Sequence, residues 1–302
     1  MIPRKSARSA GDNFGNLRDL WETLLLKMSN FPTHKLNYTN MSGIVKCILT
    51  SFLFALALPT AIGMAPDRDY YEIRIYHVTD KRQEGEVENY LKSAYIPALH
   101  RAGISKVGVF KPVESDTALF GKRIYVFIPF TSFEEVGKLD SKLEKDSQFQ
   151  ASATGYWTAP YNNPPYARME TIVLKSFVDA PHFQLPALSG PLGDRIYELR
   201  SYEGATEKIF ANKVQMFNKG DEIGLFKKLG FNAVFYSEVI SGSRMPNLMY
   251  MTSFNNMTTH DEHWKAFSDA PEWKTLSAMP EYQHNVSKLE KFLLHPTEYS
   301  EI

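Results

Sequence analysis

The chain has 302 residues, of which 43% are hydrophobic and 23% charged, and its formal net charge is +0. That length can carry two sizeable cores, and that composition excludes a disordered chain. The charge is uneven: seven Lys/Arg and three Asp/Glu precede residue 64, leaving 27 basic and 31 acidic residues beyond it. A mildly acidic body argues against a surface that tracks nucleic-acid phosphates, so no nucleic-acid partner is expected.

Residues 1–40 show no sustained periodicity. Met41 stands just before an apolar segment, Ile44 to Gly63, whose only charge is Lys46. The run Ile48–Leu58, the helix-breaking Pro59 and the small Ala61 and Gly63 have the form of a secretory signal peptide over residues 41–63. The run is short for a membrane span of about 20 residues and is broken by Pro59, so no stable span is expected after cleavage. The expected destination is the periplasm or the exterior, with residues 1–40 a non-native extension from a start assigned too far upstream. A mitochondrial presequence built on Arg4, Lys5 and Arg8 is the alternative, weakened by Asp12, Asp19 and Glu22. The single cysteine, Cys47, falls inside the signal, so the mature chain would hold no disulfide and no thiol nucleophile.

Beyond the signal the elements come in a fixed order. Tyr70 to Val78 reads as a strand, rich in aromatic and β-branched residues. Val87, Tyr90, Leu91, Ala94, Tyr95 and Ala98 recur at helical spacing, with Pro97 predicting a kink or restart. Val107–Pro112 and Arg123–Phe130 are two more strands. Ser132 reads as an N-cap with Glu135 completing a capping box ahead of a helix through Leu139 and Leu143. Met169–Phe177 closes the unit. The same order follows a linker, residues 179–193, that holds three prolines and two glycines: a strand over Arg195–Tyr202, one helix carrying Phe210, Val214, Phe217 and Leu225, a hairpin, a helix capped by Thr259 with Glu262, and a strand over Lys288–Leu294. The fold class is α+β, with two tandem ferredoxin-like βαββαβ domains at residues 69–178 and 194–296. Each antiparallel sheet needs cover on its second face. Two such sheets can cover each other, either within the chain as a pseudo-dimer or between chains in a homo-oligomer.

The repeat is visible in the residues themselves. Tyr71-Glu72-Ile73-Arg74-Ile75-Tyr76 returns 126 positions later as Tyr197-Glu198-Leu199-Arg200-Ser201-Tyr202. Val109-Phe110 and Val234-Phe235 stand 125 apart, as do Tyr125 and Tyr250, so these are expected to be equivalent. A repeat this long is a domain and not a solenoid unit.

The Tyr-Glu-[Ile/Leu]-Arg-x-Tyr motif resembles the NIPSNAP family. So does the later Trp264-Lys265-Ala266-Phe267 with Pro271-Glu272-Trp273. In the first repeat Phe149 stands where the family tryptophan would be. The resemblance covers about residues 69–296 and implies the dimeric α+β barrel superfamily. That superfamily includes cofactor-free monooxygenases, haem enzymes, isomerases and proteins with no known reaction. The resemblance therefore leaves three readings: a binder of a small anionic or apolar molecule in a barrel-side pocket, a non-catalytic oligomeric interaction protein, or a cofactor-free monooxygenase or isomerase.

Strand alternation puts Glu72, Arg74 and Tyr76 on one face and Glu198, Arg200 and Tyr202 on the matching one. Such a face would hold opposite charges in a confined interior. The arginine could bind a carboxylate or enolate while the tyrosine donates a proton; the plainer reading is a Glu–Arg pair that satisfies itself. His260 and His263 lie three apart at a helix start, a spacing that could hold a metal, although a polar first turn explains them as well. His77 ends a strand, where pockets of the superfamily open. Trp264, Phe267 and Trp273 form an aromatic cluster whose plain reading is core packing. No glycine-rich phosphate loop, nucleophile elbow or zinc-binding His-Glu-x-x-His motif is present, so no cofactor and no metal are expected. His263, Trp264, Trp273 and His77 are weaker candidates than the two Glu-Arg-Tyr triplets.

Overall fold

The computed structural model describes residues 67–302. The expected signal segment and residues 1–40 lie outside the described residues. The first half runs β1 (Tyr70–His77), α1 (Lys81–Tyr90), a π-helical turn (Leu91–Tyr95), α2 (Ile96–Arg101), β2 (Gly108–Pro112), β3 (Arg123–Phe130), α3 (Phe133–Lys145), α4 (Ser147–Trp157) and β4 (Arg168–Ser176). The second half has the same plan: β5 (Ile196–Glu203), α5 (Glu207–Phe217), α6 (Glu222–Lys228), β6 (Asn232–Ser241), β7 (Asn247–Phe254), α7 (Met257–Asp269), α8 (Pro271–Ala278) and β8 (Lys288–Pro296).

Local chemistry sets the element ends. Asp80 caps α1 by accepting from the Gln83 backbone N–H, and Ser132 caps α3 by accepting from that of Glu135. The π-helical turn lies directly before Pro97, where the missing N–H and the ring break the regular ladder. Three expectations need correction. Thr259 is not the cap of α7. The helix starts three residues earlier, Asn256 is the cap, and Thr259 is the third helical residue of a reciprocal capping box. The single helix expected over Phe210–Leu225 is two, because α5 stops at Asn218 and Asp221 adopts a left-handed φ of 59° before α6. The stretch after each hairpin also forms two helices, since the Asp146 side chain accepts from two backbone amides to start α4 and Pro271 opens α8.

The eight strands of the described residues close into one antiparallel barrel in the order β1-β3-β2-β8-β5-β7-β6-β4. β1 lies between β3 and β4, and β5 between β7 and β8. The seams join the halves: β2 pairs β8, with Phe110 opposite Pro296, and β4 pairs β6, with Ser176 opposite Ser237. The two sheets therefore cover each other within one chain. Apolar side chains fill the lumen, among them Ile73, Ile75, Phe127, Leu199, Phe235 and Leu294, with Tyr71 and Tyr197 beside them. Phe127 stacks on Phe235 across it at 4.9 Å between ring centres. Burying side chains of this size is worth roughly 1.5–3 kcal/mol each.

The packing decides which face of each sheet carries the triplets, a point that alternation leaves open: the lumen takes the Tyr71, Ile73, Ile75 set, so Glu72, Arg74 and Tyr76 face outward, confined beneath the helices. A barrel interior offers no water to carboxylates, and the strands turn their apolar residues to it. The pairing of Tyr125 with Tyr250 fails. Tyr125 lies opposite Ile75 and points into the lumen, whereas Tyr250 lies opposite Arg200 and points to the helices. The two tyrosines are one residue out of register, and in a strand one residue is the opposite face.

Candidate functional site

Each Glu-Arg-Tyr triplet sits on the central strand of its half, between the sheet and its own helices. On β5, Arg200 Nε and Nη2 approach Glu198 Oε1 at 2.9 Å each. Arg200 Nη1 donates to the Tyr202 hydroxyl at 3.1 Å, and that hydroxyl meets the Tyr250 hydroxyl at 2.8 Å. Tyr250 is placed by register, since β7 sets it directly opposite Arg200. From above, α7 lays the Trp264 ring 3.4 Å from the guanidinium carbon, a close cation–π contact. The second oxygen of Glu198 meets His260 Nε2 at 3.2 Å, and His260 Nδ1 meets Asp261 at 2.8 Å.

The charges are mutually fixed. Burial works against ionisation of Glu198, but His260 and Arg200 outweigh it and hold its carboxyl below the usual range. Burial likewise opposes protonation of His260, and its bonds to Glu198 and Asp261 outweigh this and hold it above the ordinary histidine range. Burial pushes the Tyr202 and Tyr250 phenols up, so both keep their protons.

Beside this chain lies a cavity of about 500 Å³, floored by Arg200, Tyr202 and Tyr250 and walled by Trp264 and Trp273. Lys213 reaches it from α5 with a side chain only 5% exposed, paired at 2.8 Å with Glu222 of α6. The break between α5 and α6 is what lets these two face each other. His284, with a left-handed φ of 57°, stands on the rim.

The first half builds a different pocket from the same triplet. Arg74 pairs with Glu72 at 2.7 Å, and the Tyr95 ring of the π-helical turn lies 5.0 Å from the guanidinium, in place of the tryptophan. A cavity of about 490 Å³ opens there, lined by Arg74, Tyr76, Tyr90, Tyr156, Trp157 and Tyr166 among others. The buried hydroxyls of Tyr76 and Tyr95 make no hydrogen bond among the described residues. Among the described residues no histidine joins Glu72.

The structure thus places Arg200, Tyr202, Trp264 and Trp273 around one cavity and Arg74 and Tyr76 at another, with Glu198 and Glu72 behind the arginines. His77 is apart from both, at the barrel end beside Glu170. His263 packs between Phe231 and Phe254, its Nδ1 buried without a partner. Among the described residues no group of three or more His, Cys, Asp or Glu could hold a metal ion, and no helix is long and apolar enough to cross a membrane. Sequence patterns did not single out Lys213, Glu222 or the bond from His260 to Glu198, and they marked Tyr250 only as a landmark of the repeat. One signal was available: Lys213 falls on the apolar stripe of Phe210, Val214 and Phe217, where a lysine needs a buried partner.

Residues 197–301, beginning at the second Tyr-Glu-Leu-Arg motif, match the NIPSNAP family model. This segment, about a third of the chain, carries the NIPSNAP domain match. Among solved structures, the chain is similar to an uncharacterized NIPSNAP-like domain protein from Burkholderia xenovorans, with 15% identity and a TM-score of 0.33 over 36% of this chain and 90% of that one. It is similar to a NIPSNAP family protein from Agrobacterium tumefaciens, with 19% identity and a TM-score of 0.31 over 36% and 98%. Over 76% of its length it is similar to a monooxygenase-like protein from Lactobacillus acidophilus NCFM, with 11% identity, a TM-score of 0.49 and 94% of that chain covered. No curated protein matches the chain significantly.

Proposed function

We propose that the NIPSNAP domain binds a small planar molecule carrying an anionic oxygen, in the cavity between its sheet and helices, and that the chain is an exported binding protein. The observation that supports this reading is the hydrogen-bonded series Arg200, Tyr202, Tyr250 at the floor of a cavity walled by two tryptophans. Arg200 donates to Tyr202, so the two phenols have one proton between them to use on each other and one left to give. The guanidinium has five N–H groups and retains some on both Nη atoms. The floor therefore donates hydrogen bonds to an oxygen and has no tyrosinate to take a proton. Trp264 and Trp273 offer flat apolar walls, and the volume lies within the roughly 300–1,000 Å³ of small-molecule sites. Of the acidic and histidine side chains lining the cavity, Glu222 is tied to Lys213, and only the exposed His284 lacks a polar partner among the described residues. This favours binding over base-initiated chemistry. Export rests on the signal-like segment at residues 41–63.

The test is tryptophan fluorescence with 1-naphthoate and 1-naphthalenemethanol as probes. The acid should quench and bind at least about tenfold tighter than the alcohol, a gap of ~1.4 kcal/mol. Equal affinities, or no quenching by either, would refute the anionic-oxygen reading.

A further inference from the structure

The lumen packing stops short at one end of the barrel. There the last residues of β1 and β5 meet the first of β3, β4 and β7, and a cavity of about 150 Å³ remains. Its inner surface is apolar: Ile75, Ile172, Leu199 and Met249 belong to the lumen cluster, and Phe292 packs against it. Its outer surface is basic, with His77, Arg123 and Arg244 against the single carboxylate Glu170. His77 is already joined to Glu170, and Arg244 contacts Glu290 from a backbone φ of 69°. Arg123 is different. It donates to the carbonyl of Lys122, and among the described residues no carboxylate lies within ion-pair distance of it.

Between the two surfaces sits a polar group left half used. Asn247 is 2% exposed. Its amide nitrogen donates to Ser201 Oγ at 2.8 Å, and its carbonyl oxygen is buried with no partner. Rotating the amide would only exchange which half is idle. Buried amides in folded proteins are nearly always satisfied, and an orphan that lines a cavity points to something that occupies it. Neither the cavity nor these residues belong to the helix-side site. The mouth shares no lining residue with it and holds no tryptophan.

We propose that this barrel mouth is a second binding site, for a small carboxylic acid with an apolar body about the size of a benzene ring. A dry cavity of about 150 Å³ is known to hold benzene, so the ring is matched to the volume. Its face would rest on Ile75, Leu199 and Met249, its carboxylate would reach Arg123 with Arg244 alongside, and the Asn247 amide, turned so that its oxygen accepts from Ser201 Oγ, would donate an N–H to the carboxylate. A bare inorganic anion would leave the apolar surface unused, and a neutral ring would leave Arg123 without a counter-charge.

The probe is 4-fluorobenzoate followed by fluorine NMR on the full chain, with 4-fluorobenzamide and inorganic phosphate as comparisons. The acid should bind, the amide about tenfold or more weakly, and phosphate should not displace it. Arg123→Gln changes a half-exposed side chain, so the fold should survive, checked by an unchanged melting temperature. It should lose about tenfold or more in affinity for 4-fluorobenzoate, and Arg244→Gln should lose a smaller factor. Neither substitution should alter quenching by 1-naphthoate, a larger ring that reports on the tryptophan-walled cavity. Undetectable binding of the acid, equal binding of the amide, displacement by phosphate, or full affinity in both arginine variants would each overturn the proposal. None of those results would touch the helix-side reading, which fails or stands on the naphthoate titration.

Discussion

Replacing Arg200 by methionine separates what the guanidinium does for the fold from what it does for a ligand. The change keeps most of the side-chain volume and removes the charge facing Glu198, whose side chain is 2% exposed. Breaking a buried ion pair by deleting one partner costs about 3–5 kcal/mol, because the remaining charge stays buried. Here the remaining charge keeps a second partner, His260, at 3.2 Å. His260 has its folded pKa raised above 6.5, so its contribution is fully present below about pH 6.5 and is lost as the pH rises through the folded value. Arg200→Met should therefore cost about 3–5 kcal/mol at pH 9. At pH 5.5 the cost should be smaller by about 1.5–3 kcal/mol, the worth of a hydrogen bond to a charged group. For a domain of this size 1 kcal/mol moves the melting temperature by roughly 2–4 °C, so the deficit at pH 9 should be some 6–20 °C and visibly less at pH 5.5. Circular-dichroism melts of wild type and variant at both values decide it. A deficit independent of pH would refute the role given to His260. A deficit below about 2 °C at pH 9 would show that the carboxylate is hydrated in solution.

Three further outcomes follow from the same geometry. In wild type, stability carried by His260 should fall as the pH rises from 6 to 9, and His260→Phe should flatten that slope in urea titrations; an identical slope in the variant refutes it. Lys213→Met should cost about 3–5 kcal/mol by stranding the buried Glu222, and the double change Lys213→Met with Glu222→Leu should recover most of it, since apolar replacement of a buried pair is often neutral; a double variant no better than the single one would mean the pair does not act as a unit. N-terminal sequencing of the native protein should find a start near Met64, and an abundant form beginning at residue 1 would dismiss the signal reading.

How much of this was legible in the sequence depended on range. The strands and their order followed from period-two patterns and the repeated motif, because β1 and β5 carry their pattern within eight contiguous residues each. The capping of α3 by Ser132 was legible for the same reason. What was not legible is set at longer range. The direction faced by Glu198 and Arg200 stays open in the sequence, because it depends on which of two faces fills the lumen and alternation alone is symmetric between them. Tyr125 and Tyr250 looked equivalent because both follow the hairpin at nearly the repeat distance, and a slip of one residue is invisible until register is known. The glutamates that pair with His260 and Lys213 lie on other elements, and no spacing encodes a contact between α7 and β5.

The two halves show what a shared motif does and does not determine. Both keep a glutamate and an arginine two residues apart on the central strand, and in both the pair closes on itself beneath the helices. That much is required by burial, since neither charge could remain there alone. The surroundings are free to differ, and they do. In the second half His260 takes the spare oxygen of Glu198, Trp264 covers the guanidinium, and Tyr202 and Tyr250 pass on its hydrogen bond. In the first half a tyrosine covers Arg74, and among the described residues Glu72 has no histidine and two buried hydroxyls have no partner. The Glu–Arg pair is thus a fixture of the fold, and the chemistry lies in what the helices bring to it. Removing Tyr202's hydroxyl tests this division, because it leaves both ion pairs intact. Tyr202→Phe should cost no more than about 1–3 kcal/mol of stability while lowering affinity for 1-naphthoate by about tenfold. The matching Tyr76→Phe, which removes a hydroxyl that is buried and unpaired, should be neutral or stabilising and leave naphthoate binding alone. If the two substitutions behaved alike in both assays, the halves would be equivalent and the second-half cavity would have no special claim as the binding site.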